Sequence, residues 1–153
     1  MLDLVEGAKV MIGLMPTTMS ASSGAGDWIN MEGMHCVWAI CTETAPTSGA
    51  EFQGFVSDSY AGATPVRASC QYWRSTGVLI DKMVASTQTT GLQVVDVVGG
   101  QVAIRFDPAS RPNSSQQYFS VAYTSGKGPK SITYIAQPRY GGLGQILATS
   151  SST

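Results

Sequence analysis

Met34-His-Cys-Val-Trp-Ala-Ile-Cys-Thr42 is uncharged and almost wholly apolar, and turn-forming residues flank it, with Gly33 before it and Pro46 to Gly49 after it. The side chains of an extended strand alternate between two sides. Here one side would carry Cys36, Trp38 and Ile40, and the other His35, Val37, Ala39 and Cys41. Because both sides are bulky and mostly apolar, the stretch predicts the central strand of the main core, buried on both faces.

The composition is that of one domain with few charges. The 153 residues are enough to bury a sizeable core without disulfides or metals. Charged residues make up 12% of the chain and the net charge is −1. No long-range field therefore attracts nucleic acid or an anionic membrane surface, and we predict neither as a partner. A surface this poor in charge is more typical of a subunit in an assembly than of a free monomer.

Cys36, Cys41 and Cys70 are odd in number and lack a CxxC spacing. We expect reduced core thiols, with Cys36 and Cys41 on opposite faces of one strand, which fits synthesis in a cytoplasm. The N-terminal sequence Met-Leu-Asp-Leu-Val-Glu lacks the basic residues of a secretory signal. No apolar run approaches the ~20 residues needed to span a bilayer, so we expect a soluble protein.

The strand pattern predicts an all-β fold, an antiparallel β-sandwich or jelly roll of roughly eight short strands. Residues 1–19 form an extended N-terminal arm or a first strand, residues 20–138 the sandwich domain, and residues 139–153 a Gly/Ser-rich tail. The arm either joins the sheet or packs on a neighbouring subunit.

Three local signals are specific enough to predict connections. Gly99-Gly100 predicts a hairpin between strands at 92–98 and 101–107. Ser125-Gly-Lys-Gly-Pro129 predicts a second hairpin, between strands at 118–124 and 131–137. Asp107-Pro108 predicts one short helical turn, capped by Asp107.

No catalytic or metal motif is recognisable. His35 is the only histidine, and a lone histidine in a central strand is more often a packed core residue than a base or a ligand. The three cysteines and His35 do not have the spacing of a zinc site. Gly126 to Ser131 lacks the upstream glycine and the following helix of a phosphate-binding loop. We predict no enzymatic activity, cofactor or metal.

Several segments, taken in order, carry a resemblance to a known group. They are Gly24-Ala-Gly-Asp-Trp-Ile-Asn-Met-Glu-Gly-Met-His35, the strand 34–42, Ala61-Gly-Ala-Thr-Pro65 with Cys70-Gln-Tyr-Trp73, Phe106-Asp-Pro108, and Gln137-Pro-Arg-Tyr-Gly141. Together they resemble small accessory proteins encoded among the structural genes of tailed bacteriophages, whose members look like head decoration, or cement, proteins. The resemblance covers most of the chain and rests on pattern and order. It implies a β-sandwich on the virion surface that binds the major capsid protein and reinforces the lattice, commonly as a homotrimer.

The apolar arm, the Trp28 segment and the tail are the candidate contacts with capsid or neighbouring subunits. These residues are Val5, Val10, Ile12, Leu14, Trp28, Arg139 and Tyr140. Each could equally pack within its own subunit. Two other functions stay open: a structural component of the neck, tail or baseplate, and a carbohydrate- or receptor-binding module. The latter would use an exposed platform of tryptophans and tyrosines, residues that more often fill cores and subunit contacts.

Overall fold

The computed structural model describes residues 8–18, 23–43, 50–75, 83–89, 93–95, 100–124 and 129–139. Within these ranges the chain forms strands, one 3₁₀ turn at Pro108–Ser110, and no helix long and apolar enough to cross a membrane. The predicted all-β antiparallel sandwich is confirmed. The strands outnumber the predicted eight because several have only two or three residues. They are β1 (Lys9–Thr18), β2 (Ser23–Ala25), β3 (Ile29–Asn30), β4 (Met34–Glu43), β5 (Ala50–Ser57), β6 (Val66–Arg67), β7 (Cys70–Ser75), β8 (Met83–Thr89), β9 (Gln93–Val95), β10 (Gly100–Phe106), β11 (Tyr118–Thr124) and β12 (Pro129–Pro138).

The strands form two sheets. Sheet A has the order β1-β12-β4-β10-β7-β8, and sheet B has the order β2-β11-β5-β6, with β3 added to β11 and β9 added to β5. β4 contains the stretch 34–42 and is bonded to β12 on one side and β10 on the other. The prediction of a central strand is therefore confirmed.

The two faces of β4 are covered to different extents. Its inward-facing side chains, Val37, Ala39 and Cys41, are fully buried in the core. Trp38 and Ile40, on the opposite face, are only half-buried. The prediction of burial on both faces is wrong for the outer one, because sheet B covers sheet A on a single side.

His35 is exposed and lies at a β-bulge. Gln137 of β12 pairs with Cys36, and the next β12 residue, Pro138, pairs with Met34, so His35 is an extra residue in β4. Such a residue interrupts the alternation of side chains. The prediction of a packed core histidine is therefore wrong, because it assumed unbroken alternation from Met34 onwards.

Both predicted hairpins are wrong. β9 pairs with β5 in sheet B, whereas β10 lies between β4 and β7 in sheet A. In the same way β11 belongs to sheet B and β12 to sheet A. The connections themselves, 96–99 and 125–128, lie outside the described residues. Glycine-rich segments favour a change of chain direction, but which sheet receives the next strand depends on where its apolar side chains are buried.

Aromatic side chains form the centre of the core between the sheets. Phe106 of β10 stacks on Phe119 of β11 with ring centroids 5.1 Å apart, and Tyr134 of β12 meets Phe119 edge to face at 6.2 Å. The Tyr134 hydroxyl accepts a hydrogen bond from the Val121 N–H at 3.1 Å. Because burial raises the pKa of Tyr134 well above its usual value, this hydroxyl stays protonated at neutral pH. The two sheets are thus held together by packing and by a buried hydrogen bond.

β1 forms one edge of sheet A. It contains a bulge at Gly13, where a side chain would overlap the ring of Tyr134. The Gly13 carbonyl accepts a hydrogen bond from the Asp27 N–H at 2.8 Å, and the neighbouring Gly26 N–H donates to the Val121 carbonyl at 2.9 Å. The connection between β2 and β3 therefore ties the β1 edge of sheet A to sheet B.

The remaining local predictions hold. Asp107 accepts a hydrogen bond from the Ala109 N–H at 2.9 Å and caps the 3₁₀ turn as expected. All three cysteines are buried free thiols. Cys41 faces the core, and Cys36, on the opposite side of β4, donates to Gln137 Oε1 at 3.3 Å. Burial raises the pKa of Cys70 to about 12 and raises the pKa of Cys41 still further.

Cys41 and Cys70 should therefore be unreactive toward a thiol reagent in the folded protein and react only on unfolding, because the thiolate is the reacting species. An unfolded thiol loses its proton near the ordinary pKa of 9.0, whereas the folded Cys70 thiol keeps it to about 12. The contribution of the Cys70 thiol to stability is thus present below pH 9 and is lost as the pH rises toward 12. Thiol-labelling rates and urea melts at neutral and alkaline pH test both statements. Rapid native-state labelling of either residue would contradict them.

Candidate interaction surface

The outer face of sheet A carries a group of apolar side chains next to uncharged polar ones such as Thr42, Thr133 and Gln101. Its outward-facing apolar side chains come from five neighbouring strands and are half-buried or exposed, apart from the buried Ala103. We call this set the outer apolar face: Val10, Ile12 and Met15 of β1, Ile135 of β12, Trp38 and Ile40 of β4, Ala103 of β10, and Trp73 of β7.

The β1 edge carries the most exposed part of this face. Val10 is 51% exposed, Ile12 61% and Met15 63%. Met15 points outward because the bulge at Gly13 turns Leu14 inward, opposite Ile132. A contiguous apolar patch of this kind is typical of a site that another molecule covers. Covering these side chains would contribute on the order of 1 kcal/mol each.

Two tryptophans lie at the middle of the face. The ring centroids of Trp38 and Trp73 are 5.0 Å apart, and the ring planes are tilted by 37°. The Arg105 guanidinium lies 6.0 Å from the centroid of the Trp38 ring and donates to Gln71 Oε1 at 3.0 Å. Arg105 is the single charged side chain among the described outward-facing residues of these five strands. The Trp38 ring and the Gln71 side-chain amide together hold the Arg105 guanidinium in position.

The predicted contact residues fall into different environments. Val10 and Ile12 belong to the outer apolar face, whereas Leu14 packs against the core. Trp28 is half-buried over Gly62, where an added methyl group would overlap the indole. Arg139 is exposed at the end of β12. Val5 and Tyr140 lie outside the described residues.

Sequence reasoning missed most of the outer apolar face. Met15, Trp38, Trp73, Arg105 and Ile135 were not among the predicted contacts. A signal for two of them was present, since β4 and β7 each carry a tryptophan on the side opposite their core residues. That side is core if a second sheet covers it and surface if none does. The local sequence does not show which of the two applies.

Comparisons with known proteins add little to this description. No protein-family model matches the chain, and no curated protein matches it in sequence. Among solved structures, a crystal structure of the SPBc2 prophage-derived protein YomS is similar over 84% of this chain and 91% of that chain, with 12% sequence identity and a TM-score of 0.49. A likeness at this level carries no argument about function.

Proposed function

We propose that this protein is a structural subunit of a tailed-bacteriophage virion that binds the outside of the capsid lattice and stabilises the head. The outer apolar face is the single observation that carries the proposal, because three large apolar side chains stand exposed side by side on the edge strand β1. The sequence resemblance to decoration proteins points to the same role. The chain is made in the cytoplasm of the bacterial host and functions on the capsid surface.

The mechanism is burial of apolar area between subunits. The major capsid protein covers the β1 part of the outer apolar face, and further copies of this chain complete a homotrimer. Each contact contributes modestly, but capsid symmetry repeats it at many equivalent positions, so the particle as a whole gains much more stability. The scarcity of charge on the outer apolar face suits this role, since few charged groups lose water when the face is covered.

Replacing both Val10 and Ile12 by lysine should weaken attachment to capsids on the order of 100-fold, because two exposed apolar side chains are exchanged for charges. Co-sedimentation with undecorated capsids measures attachment, and the temperature at which the capsids rupture measures stabilisation. Val66→Lys is the matched control, since Val66 is 42% exposed on β6 of sheet B, away from this face.

The double variant should fold as the wild type does, because both side chains point to solvent. If the double variant and the wild type attach equally well, the outer apolar face takes no part in attachment. If the wild-type protein neither sediments with capsids nor raises their rupture temperature, the decoration function itself is wrong. Electron microscopy of virions with a tagged copy then tests the neck, tail or baseplate alternative, which predicts six- or twelve-fold rings.

One observation favours a carbohydrate-binding function as second candidate. Trp38 and Trp73 are paired on an outward face, beside the hydrogen-bonded side chains of Arg105 and Gln71. Sugar sites combine apolar or aromatic surface with a few placed polar groups. A glycan array separates the two functions: binding that Trp73→Ala abolishes supports the second candidate, and an array without hits counts against it.

A further inference from the structure

A cavity of about 310 Å³ lies at the end of the sandwich where β3 turns into β4. It is bounded by that turn, by the 3₁₀ turn with the loop after it, and by the end of β12. The polar side chains that line it are Glu32, Arg111, Ser114, Gln117 and Arg139. None of these belongs to the outer apolar face.

One hydrogen bond from each arginine, from the backbone of Arg139 and from the side chain of Arg111, ties it to a wall of the cavity. The Arg139 N–H donates to the Gly33 carbonyl at 2.8 Å, which joins the end of β12 to the β3–β4 turn. Gly33 adopts a φ of 73°, a left-handed conformation that suits glycine. Arg111 Nη1 donates to the Pro108 carbonyl at 3.4 Å, so its side chain leans over the 3₁₀ turn.

The loop after the 3₁₀ turn has its own bonds. The Asn113 N–H donates to Gln116 Oε1 at 3.0 Å, and the Gln116 N–H donates to the Asn113 carbonyl at 3.1 Å. Gln116 is buried. The wall that carries Ser114 and Gln117 is therefore built before any ligand arrives.

The charge in the cavity is positive. Arg111 and Arg139 each bring a positive charge, and Glu32 is the one carboxylate among the lining residues. Neither arginine forms an ion pair with a carboxylate of the described residues. The ion pair that the described residues do contain joins Lys130 and Glu43. Each guanidinium presents five N–H donors in a planar fork that matches a carboxylate.

We propose that this cavity binds a carboxylate-bearing organic ligand, with the carboxylate held between Arg111 and Arg139. Met31, Met34 and Pro108 also line the cavity but are buried, so they leave only a small apolar area for the body of the ligand. Glu32 disfavours a doubly charged phosphate more than a singly charged carboxylate, because repulsion grows with ligand charge. A free organic acid and an acidic side chain of a polypeptide offer the same chemistry.

Titration of the full-length protein, followed by NMR of the backbone amides of Gly33, Ser114 and Gln117, tests the site. The probes are benzoate, acetate, inorganic phosphate, and an acidic peptide beside its amidated, neutral counterpart. Saturable shifts are expected with carboxylates, stronger with benzoate than with acetate, and weaker with phosphate. Tighter binding of the acidic peptide than of benzoate identifies a polypeptide source, and the reverse identifies a small molecule.

Substitutions of the two arginines and of Glu32 should change the affinity for benzoate in opposite directions. Arg111→Gln and Arg139→Gln should each weaken benzoate binding about tenfold, because each removes a charge-assisted hydrogen-bond donor set. Arg111→Lys keeps the charge without the fork and should also bind more weakly. Glu32→Gln should strengthen binding, because it removes the repelling carboxylate. Arg74→Gln, at an exposed arginine of β7, is the control and should change nothing.

Absence of saturable shifts with any carboxylate overturns the site. So does phosphate binding as tight as benzoate binding, or a Glu32→Gln variant that binds more weakly than the wild type. Because these measurements need no capsid, their failure is independent of the proposed attachment function.

Discussion

Replacing Lys130 by methionine is expected to destabilise the fold by about 3–5 kcal/mol, because it leaves a buried carboxylate without its cation. Lys130 Nζ lies 3.0 Å from Glu43 Oε1, and neither side chain is exposed. The two residues are cross-strand partners between β12 and β4. Among the described residues, neither carboxylate oxygen of Glu43 has a hydrogen-bond partner beyond this ion pair.

The surroundings of the Lys130–Glu43 pair make the loss of the lysine cation costly. The Lys130 ammonium also lies 5.3 Å from the centroid of the Tyr123 ring, a cation–π arrangement. A methionine side chain fills a similar volume but supplies no charge. The Glu43 carboxylate must then either stay ionised in an apolar environment or take up a proton, and both responses cost free energy.

Urea unfolding of three variants measures this effect. Lys130→Met and Glu43→Met should each be destabilised, and the double variant Lys130→Met/Glu43→Met should recover most of the loss, since apolar replacements of a buried pair are often neutral or better. The double-mutant cycle isolates the pair from the packing of its stems. Loss of less than about 1 kcal/mol in Lys130→Met would show that the pair behaves like an exposed one.

Replacing Phe119 by alanine is expected to cost about 3–5 kcal/mol, because a large aromatic side chain is removed from the middle of the core. Phe119 is fully buried and is the ring that both Phe106 and Tyr134 contact across the sandwich. Gly54 on the neighbouring strand β5 is also packed against this ring. No neighbour can fill the cavity without moving strands of both sheets.

Two further variants show whether the loss of stability is specific to the Phe119 ring. Phe119→Leu keeps most of the buried volume and should lose clearly less stability than the alanine variant. Tyr118→Ala removes the adjacent aromatic residue, which is half-buried and contacts Tyr60 edge to face, and it should also have the smaller effect. Thermal and urea unfolding provide the comparison. If Phe119→Ala and Tyr118→Ala cost the same, the core is not centred on the Phe119 ring.

Features that depend on neighbours along the chain were predictable. The uncharged run of residues 34–42, apolar on both sides, predicted the central strand β4, and the spacing of Cys36 and Cys41 predicted thiols on opposite faces. Asp107 followed by Pro108 predicted the capped turn. Each of these follows from the geometry of one strand or one turn, which a few consecutive residues determine.

Features that depend on pairing between distant segments were not predictable. The glycines before β10 and β12 marked changes of direction, but the chain crosses to the other sheet there. Lys130 lies between the predicted loop 125–129 and the predicted strand 131–137, yet it is fully buried against Glu43. The bulge at His35 arises only from the register between β4 and β12. Sequence periodicity contains no information about which strands become partners.

The sequence alone therefore determined that this is an antiparallel β protein with Met34 to Thr42 at its centre, because strand formation and side-chain alternation are local properties. The tertiary structure decided which side of that strand is core and which is the outer apolar face, because only packing against sheet B distinguishes them. It also decided that Arg111 and Arg139 line one cavity, since residues far apart in the chain share a cavity only after the strands between them have paired.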